Sequence, residues 1–379
     1  MSRSESETLV RIEEIQGRGR AMVSSRPIKG GEIVLRDSPI LLYSAFPLHH
    51  SIATSLYCDN CFRKLQSAVT SCPSCSQHHF CNPNCLSTSS HTPWVCQALS
   101  RLRNCPIQSV ETQVQARFLL IACNLALVSP SDFQILLSLE GTGGDEDIAA
   151  AQFLHSLISS LCPPPAKFPF SVELCAALIA KDKLNAFGLM EPFDFNSQRS
   201  VRAYGIYPKA SLFNHDCLPN ACRFDYVDNA LDHNTDVVIR MIHDVPQGRE
   251  ICLSYFPVNE NYSNRQKRLL EDYGFTCDCD RCKVEANWSD DDEEEDEAME
   301  EDIDETMEQE EEEKDTDADF PHAYFFLRYM CKQENCWGTL APLNQSQPNQ
   351  VCNLLECNVC GKIKSDEDDD CASIDNIPC

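Results

Sequence analysis

Eight soft donors crowd into fewer than forty residues: Cys58-x2-Cys61-x10-Cys72-x2-Cys75-x5-Cys81-x3-Cys85-x5-His91-x4-Cys96. Thiolates and an imidazole at this density suit tetrahedral zinc, and a Cys-x2-Cys pair lets one turn present two sulfurs to the same ion. Eight donors make two four-ligand sites, both closed to substrate, so their work is to fold the segment rather than to catalyse. The segment holds too few large apolar residues to bury the thiols in an ordinary core. Spacing alone leaves the pairing order open, and His78 or His79 competes as a ligand. Near the C-terminus, Cys331-x4-Cys336 and Cys357-x2-Cys360 form two further close pairs that read as a small zinc ribbon, with Cys352 as another available ligand. Cys222 and Cys252 lie outside such pairs and read as buried thiols.

These groups need a scaffold. From Leu9 to Tyr43 apolar and polar residues alternate around Gly17, Gly19, Gly30 and Gly31, which predicts short strands joined by tight turns. From Glu111 to about Met190 the apolar residues recur at helical spacing, with a Gly/Asp-rich break near Gly141 to Asp147. Strand-like text resumes at Val201–Tyr207, Ala221–Tyr226, Val237–Ile242 and Glu250–Tyr255. The β portion is therefore split by insertions. The longest apolar run, Phe118 to Val128, is short of the roughly 18 residues that a membrane span needs and reads as a core helix in a soluble protein.

Charge narrows the function classes. Residues Asp290 to Asp319 hold 21 acidic residues and one lysine, so this tract carries most of the chain's net charge of −28. It cannot bury enough apolar area to offset its ordering entropy and self-repulsion, so a disordered loop is expected. Carboxylates in place of clustered Lys and Arg argue against nucleic-acid binding and for basic partners. Twenty-four cysteines in a secreted chain would suggest disulfides, but Met1 to Glu14 is polar and lacks an apolar signal core, which points to an intracellular, zinc-rich protein.

Three segments in order carry a resemblance: Asn214-His215-Asp216-Cys217-Leu218-Pro219-Asn220, then Gly248-Arg249-Glu250 through Tyr255, then Tyr273-Gly274-Phe275-Thr276-Cys277-Asp278-Cys279-Asp280-Arg281-Cys282. They resemble the NHxCxPN motif, the GExxxxxY strand end and the CxCx2C post-SET segment of SET domains. The earlier cysteine series resembles a MYND finger, and the arrangement is similar to the SET and MYND (SMYD) family, its plant ASH1-related branch included. The resemblance covers Leu9 to Cys282. It implies a mainly β SET fold of short sheets with a pseudoknot-like active site, a helical insert, an inserted MYND zinc finger and a Cys-rich C-terminal zinc-binding extension.

The resemblance also implies site residues. Cys58, Cys61, Cys81 and Cys85 would share one zinc, and Cys72, Cys75, His91 and Cys96 the other. Cys277, Cys279 and Cys282 give three sulfurs of a third site and Cys217 the fourth, which would clamp the post-SET loop. Arg18, Gly19 and Arg20 match the first cofactor-binding turn, Asn185, Asn214 and His215 match further contacts to S-adenosylmethionine, and Tyr255 matches the catalytic tyrosine. Tyr273 and Phe275 match the aromatic pair lining the lysine channel, with Phe275 also on the cofactor side, and a flat apolar wall there suits an aliphatic lysine stem.

The expected division is a disordered N-terminus (1–8), a first SET half (9–57), MYND (58–96), the helical insert (97–199), the catalytic core (200–255), the post-SET zinc segment (256–288), the acidic loop (289–319) and the Cys-rich extension (320–379). The activity implied is methyl transfer from S-adenosylmethionine to lysine on histones or other proteins, with MYND binding a proline-rich peptide, zinc as structural metal, no membrane or nucleic-acid partner, and residence in the nucleus or also the cytoplasm. The alternative is an inactive SET/MYND adaptor in transcriptional regulation; Asn214, His215, Tyr255 and Phe275 favour the enzyme. No counterpart of the helical C-terminal domain of longer SMYD proteins is expected in this sequence, which would leave the substrate groove more open.

Overall fold

The computed structural model describes residues 8–48, 57–65, 69–105, 109–165, 168–193, 200–226, 228, 234–287, 322–343 and 354–365. The acidic tract and Cys352 lie outside the described residues.

Gly17 and Gly19 adopt φ of +79° and +71°, a region that costs glycine nothing, and so close a tight hairpin between β1 (Val10–Ile15) and β2 (Gly19–Ser24). Next come β3 (Ile33–Asp37) and β4 (Leu41–Ser44), then the first cysteine-rich segment with β5 (Thr70–Ser71), β6 (His79–Phe80) and the short helix α1 (Pro83–Thr88). Both helices at the end of this segment begin as local chemistry dictates. The side chain of Asn82 accepts from the Cys85 amide at 2.8 Å to cap α1, Thr92 accepts from Val95 to cap α2 (Pro93–Arg103), and each has proline in its first turn.

The helical block follows as α3 (Val110–Val128), α4 (Pro130–Ser138), α5 (Asp145–Leu161) and α6 (Val172–Asn185). Its largest apolar cluster includes Leu102, Phe118, Leu119, Leu136, Leu154, Ile158 and Leu178. The expected Phe118–Val128 core helix forms the C-terminal part of α3, and among the described residues no helix is long and apolar enough to cross a membrane. Helical text was expected as far as Met190, but the chain turns at Asn185 into β7 (Ala186–Met190), because these residues find a ladder along β8 (Val201–Ile206) that local periodicity does not reveal.

After β8 come β9 (Ala221–Phe224), β10 (Val237–Met241), α7 (Tyr262–Tyr273), α8 (Asp280–Glu285), α9 (Ala323–Tyr329), and the strands β11 (Leu340–Pro342), β12 (Leu354–Cys357) and β13 (Ile363–Ser365). Among the described residues three antiparallel three-stranded sheets result, ordered β3-β10-β9, β4-β8-β7 and β11-β12-β13. Central β10 is buried at every position, and its Arg240 is paired with Glu356 of β12 at 2.8 Å, which seats the C-terminal sheet against it.

Glu250–Tyr255 was expected to be a strand. The segment instead makes single bridges, Val23 to Glu250 and His215 to Leu253, because it lies between two different stretches of chain and pairs briefly with each. The Ile251 amide donates to the Met22 carbonyl at 2.8 Å, while the Leu253 amide donates to the Asn214 carbonyl and the Asp216 amide to the Leu253 carbonyl, both at 3.0 Å. This threading is the pseudoknot-like crossing.

Candidate functional site

The crossing is locked by polar side chains. Arg18 forms an ion pair through Nε with Glu250 Oε2 at 3.0 Å and donates from Nη2 to the His215 carbonyl at 2.9 Å. Asn214 donates from Nδ2 to Glu250 Oε1 at 2.9 Å and to the Arg18 carbonyl at 3.4 Å. Asn220 donates to the Glu250 carbonyl and accepts from the Cys252 amide, both at 2.8 Å. The first turn, the Asn-His segment and the Glu250–Tyr255 segment are thus one unit. Asn220 ends the Asn214–Asn220 motif and Glu250 opens the segment that runs to Tyr255, and membership of those motifs is the signal that the sequence carries for them.

His215 is buried and accepts the Tyr255 amide on Nδ1 at 3.2 Å, so Nε2 carries the proton and faces Cys217 Sγ at 3.3 Å. Burial keeps this imidazole neutral by pulling its pKa down to about 3. Tyr255 donates its hydroxyl to the Phe213 carbonyl at 3.1 Å. Burial, reinforced by Tyr273, raises the Tyr255 phenol above its ordinary value, so it stays protonated at neutral pH.

An aromatic wall surrounds that hydroxyl. The Tyr255 and Tyr273 rings lie 4.9 Å apart, Tyr273 and Phe275 6.5 Å, and His215 and Phe275 6.4 Å. Helix α7 aims this wall: its left-handed C-cap at Gly274, φ +76°, turns the chain so that the Phe275 amide returns to the Leu269 carbonyl. Phe275 is 38% exposed, and its ring offers a flat apolar face beside His215 of the kind that holds a purine or an alkyl stem.

Asn185 and Arg20 make their side-chain hydrogen bonds to the helical block and not to the residues of the crossing. Asn185, at the end of α6, donates its amide to the carbonyls of Glu140 and Lys181 at 2.9 and 2.8 Å. Buried Lys181 straps the same loop by donating to the Leu139 and Gly141 carbonyls at 2.6 and 2.8 Å. Arg20 donates to the Ser138 carbonyl at 3.1 Å, so the first turn is also fastened to the end of α4.

Among the described residues, four sets of donor atoms each lie within 4.8 Å of one another: Cys58, Cys61, Cys81 and Cys85; Cys72, Cys75, His91 and Cys96; Cys217, Cys277, Cys279 and Cys282; Cys331, Cys336, Cys357 and Cys360. Sulfurs on a tetrahedral zinc with bonds of about 2.3 Å stand about 3.8 Å apart, whereas a disulfide needs about 2.05 Å. Representative Sγ separations are 3.7 Å for Cys61 to Cys81, 3.9 Å for Cys72 to Cys96, 3.5 Å for Cys217 to Cys282 and 3.6 Å for Cys336 to Cys357. The donors therefore fit zinc in chemistry and spacing.

His78 remains a neighbour, its Nδ1 3.3 Å from Cys75 Sγ and its ring 4.1 Å from that of His91, but the mutually close quartet contains His91. His79 instead meets the Ser71 hydroxyl at 3.1 Å. Cys222 and Cys252 are buried and outside all four sets.

The SET domain family matches residues 19–256. Among curated proteins, the chain is 58% identical to "Histone-lysine N-methyltransferase ASHR2" of Arabidopsis thaliana across 95% of this chain and 96% of that one. It is 24% identical to "Histone-lysine N-methyltransferase ASHR1" of the same plant over 72% of this chain and 54% of that one. With "Histone-lysine N-methyltransferase SMYD1" of Homo sapiens it shares 22% identity over 73% of this chain and 57% of that one, so it spans little more than half of these two relatives.

Proposed function

This chain belongs to the SET domain family, and from that we propose that it is a protein-lysine N-methyltransferase that moves methyl groups from S-adenosylmethionine to lysine side chains, histones among its substrates. The observation that carries the reading is the Tyr255 hydroxyl beside the Phe213 carbonyl, walled by Tyr273 and Phe275, at the end of a crossing locked through Arg18, Asn214 and Glu250. The 58% identity to a plant histone-lysine methyltransferase supports it over nearly the whole chain.

S-adenosylmethionine supplies an electrophilic methyl on a sulfonium, and the transfer to an amine is an in-line displacement whose barrier depends chiefly on placement. Tyr255 and the Phe213 carbonyl orient the amine, the lysine stem runs along Tyr273 and Phe275, and the neutral phenol presents a dipole without accepting the proton. Asn214, His215 and the Arg18-Gly19-Arg20 turn would hold the cofactor, with the exposed Phe275 face against its adenine. Asn185 belongs to the same set through the loop that it shares with Lys181.

The quartets are read as four structural zincs: two in a MYND module at 58–96 that binds proline-rich peptides, one clamping the post-SET segment and one in the C-terminal ribbon. The division of the chain into domains given above stands as part of this proposal. A basic histone tail suits the acidity of the chain, and chromatin in the nucleus is the expected setting, without direct nucleic-acid contact.

Calorimetric titration of S-adenosylmethionine into the wild type and into Asn214→Ala, with zinc content and radiolabelled methyl transfer measured on the same samples, tests the reading. Binding that the substitution abolishes, with four zincs present, is the expected result. No binding by a zinc-loaded wild type overturns the enzyme and leaves the adaptor.

A further inference from the structure

Behind the Cys217 quartet lies a buried trio of charges. Arg265 of α7 is ion-paired with Glu285 of α8 at 2.5 Å, Glu285 accepts from Arg281 at 2.5 Å, and all three side chains are at most 5% exposed. Arg281 also donates to the Val258 and Glu260 carbonyls at 2.6 and 3.1 Å, and Arg265 to the Glu260 carbonyl at 2.6 Å. Two guanidinium groups against one carboxylate leave a net positive charge in the interior, which burial makes costly unless a counter-charge adjoins it. Arg265 Nη2 points at Cys282 Sγ, 3.7 Å away, and Gln266 Nε2 reaches the same sulfur at 3.2 Å.

Four neutral thiols do not answer that charge; a zinc tetrathiolate, with a formal charge of −2, does. We infer that Arg265 is a positioning residue that neutralises the metal-loaded Cys217–Cys282 quartet and ties it to α7, whose end carries Tyr273 and Phe275. The metal and the aromatic wall are then held by one helix: Arg265 at its buried face grips the quartet, and Gly274 at its C-cap turns the wall toward Tyr255. Gln266 adds a second grip, exchanging hydrogen bonds with the Cys277 backbone at 2.8 and 3.0 Å. The role in methyl transfer rests on the reading above; the role in metal retention does not.

The test is zinc release from the full-length, zinc-loaded protein into a chromogenic chelator, with steady-state kinetics alongside. Removing a donor to a metal-bound atom weakens metal binding by about 10- to 100-fold. In Arg265→Met one zinc equivalent should therefore leave at least about 10-fold faster while the others keep the wild-type rate. Arg265→Lys should recover part of that loss. Glu285→Gln makes the trio more positive, and its zinc should leave no faster than from the wild type. In the kinetics, Arg265→Met should raise KM for S-adenosylmethionine and peptide more than it lowers kcat, because the wall is displaced while Tyr255 is untouched. Release from Arg265→Met at the wild-type rate, or from Glu285→Gln as fast as from Arg265→Met, overturns the inference. If Arg265→Met does not fold, Arg265→Lys losing zinc more slowly than Glu285→Gln overturns it as well. Release is read without methyl transfer, so an inactive protein would refute the enzyme reading and leave this result standing.

Discussion

Tyr255→Phe removes one oxygen from the proposed site. The lost bond is the 3.1 Å donation to the Phe213 carbonyl. Leaving that carbonyl without its donor costs about 1–3 kcal/mol, so global stability should fall by that amount. The effect on rate should be larger, because a preorganised dipole at the reacting atoms is worth about 3 kcal/mol, close to 10²-fold in kcat. The proposed cofactor contacts are at Asn214, His215 and the first turn, so on that reading S-adenosylmethionine affinity should change by less than about threefold, under 0.7 kcal/mol. Single-turnover transfer of tritiated methyl to a lysine peptide, with calorimetry for the cofactor, separates the two. The raised phenol pKa adds a sign: Tyr255 stays protonated to above pH 9, so the rate should climb with pH only as the substrate amine, pKa about 10.4, loses its proton, and Tyr255→Phe should keep the same slope. A variant with wild-type single-turnover rate, or one whose slope with pH disappears, refutes this account of Tyr255.

Other consequences can be measured directly. A Cβ on Gly338 would stand 2.4 Å from Cys357 Sγ, so Gly338→Ala should cost one zinc equivalent by atomic absorption, and retention of all zinc would contradict the close approach. Cys357→Ser should do the same and lower the thermal midpoint, since β12 carries both this ligand and Glu356, the partner of buried Arg240. Strong chelators should abolish methyl transfer together with native near-ultraviolet dichroism; activity that survives removal of every zinc would argue against the metal as a clamp. Half-buried Asp182 has its pKa pushed up to about 7, by desolvation against the opposing hydrogen bond from Tyr43. The folded state therefore binds a proton more tightly than the unfolded chain, and stability falls as pH rises from about 4 to about 7, then levels. Asp182→Asn should lose less in thermal midpoint than the wild type between pH 5 and 8; parallel curves would show that this carboxyl is not responsible.

Chemistry at fixed spacing was legible in the sequence, and long-range pairing was not. Close cysteine pairs and the Asn-His segment announce themselves because ligand and motif residues must lie a turn apart, and the four quartets assemble from residues that the sequence had marked. Alternation likewise gave β8, β9 and β10 within a residue or two. What alternation cannot carry is the partner of each strand: nothing local in Ile33–Asp37 says that its neighbour is Val237–Met241. The same blindness made Glu250–Tyr255 read as an ordinary strand, when its apolar positions answer two separate neighbours. Arg265 and Glu285 were missed because exposed helix charges usually have this pattern, and only burial shows them to be a core pair. Lys181 was hidden similarly: its positive charge is held by backbone carbonyls, which no residue type encodes.

The threaded crossing has a consequence during synthesis. Arg18 meets Glu250 across 232 residues, and β3 must wait for β10 before its backbone is paired. At about 5–20 residues per second, the ribosome leaves β3 and the second edge of β2, whose first edge is paired with β1, without partners for roughly 10–40 s. Through that interval β2 and β3 present open edges, the feature by which nascent chains stick to one another or to chaperones. Catalytic competence must therefore come late, once the post-crossing helix has emerged, and a prematurely terminated chain is a fragment with exposed strands rather than a weak enzyme.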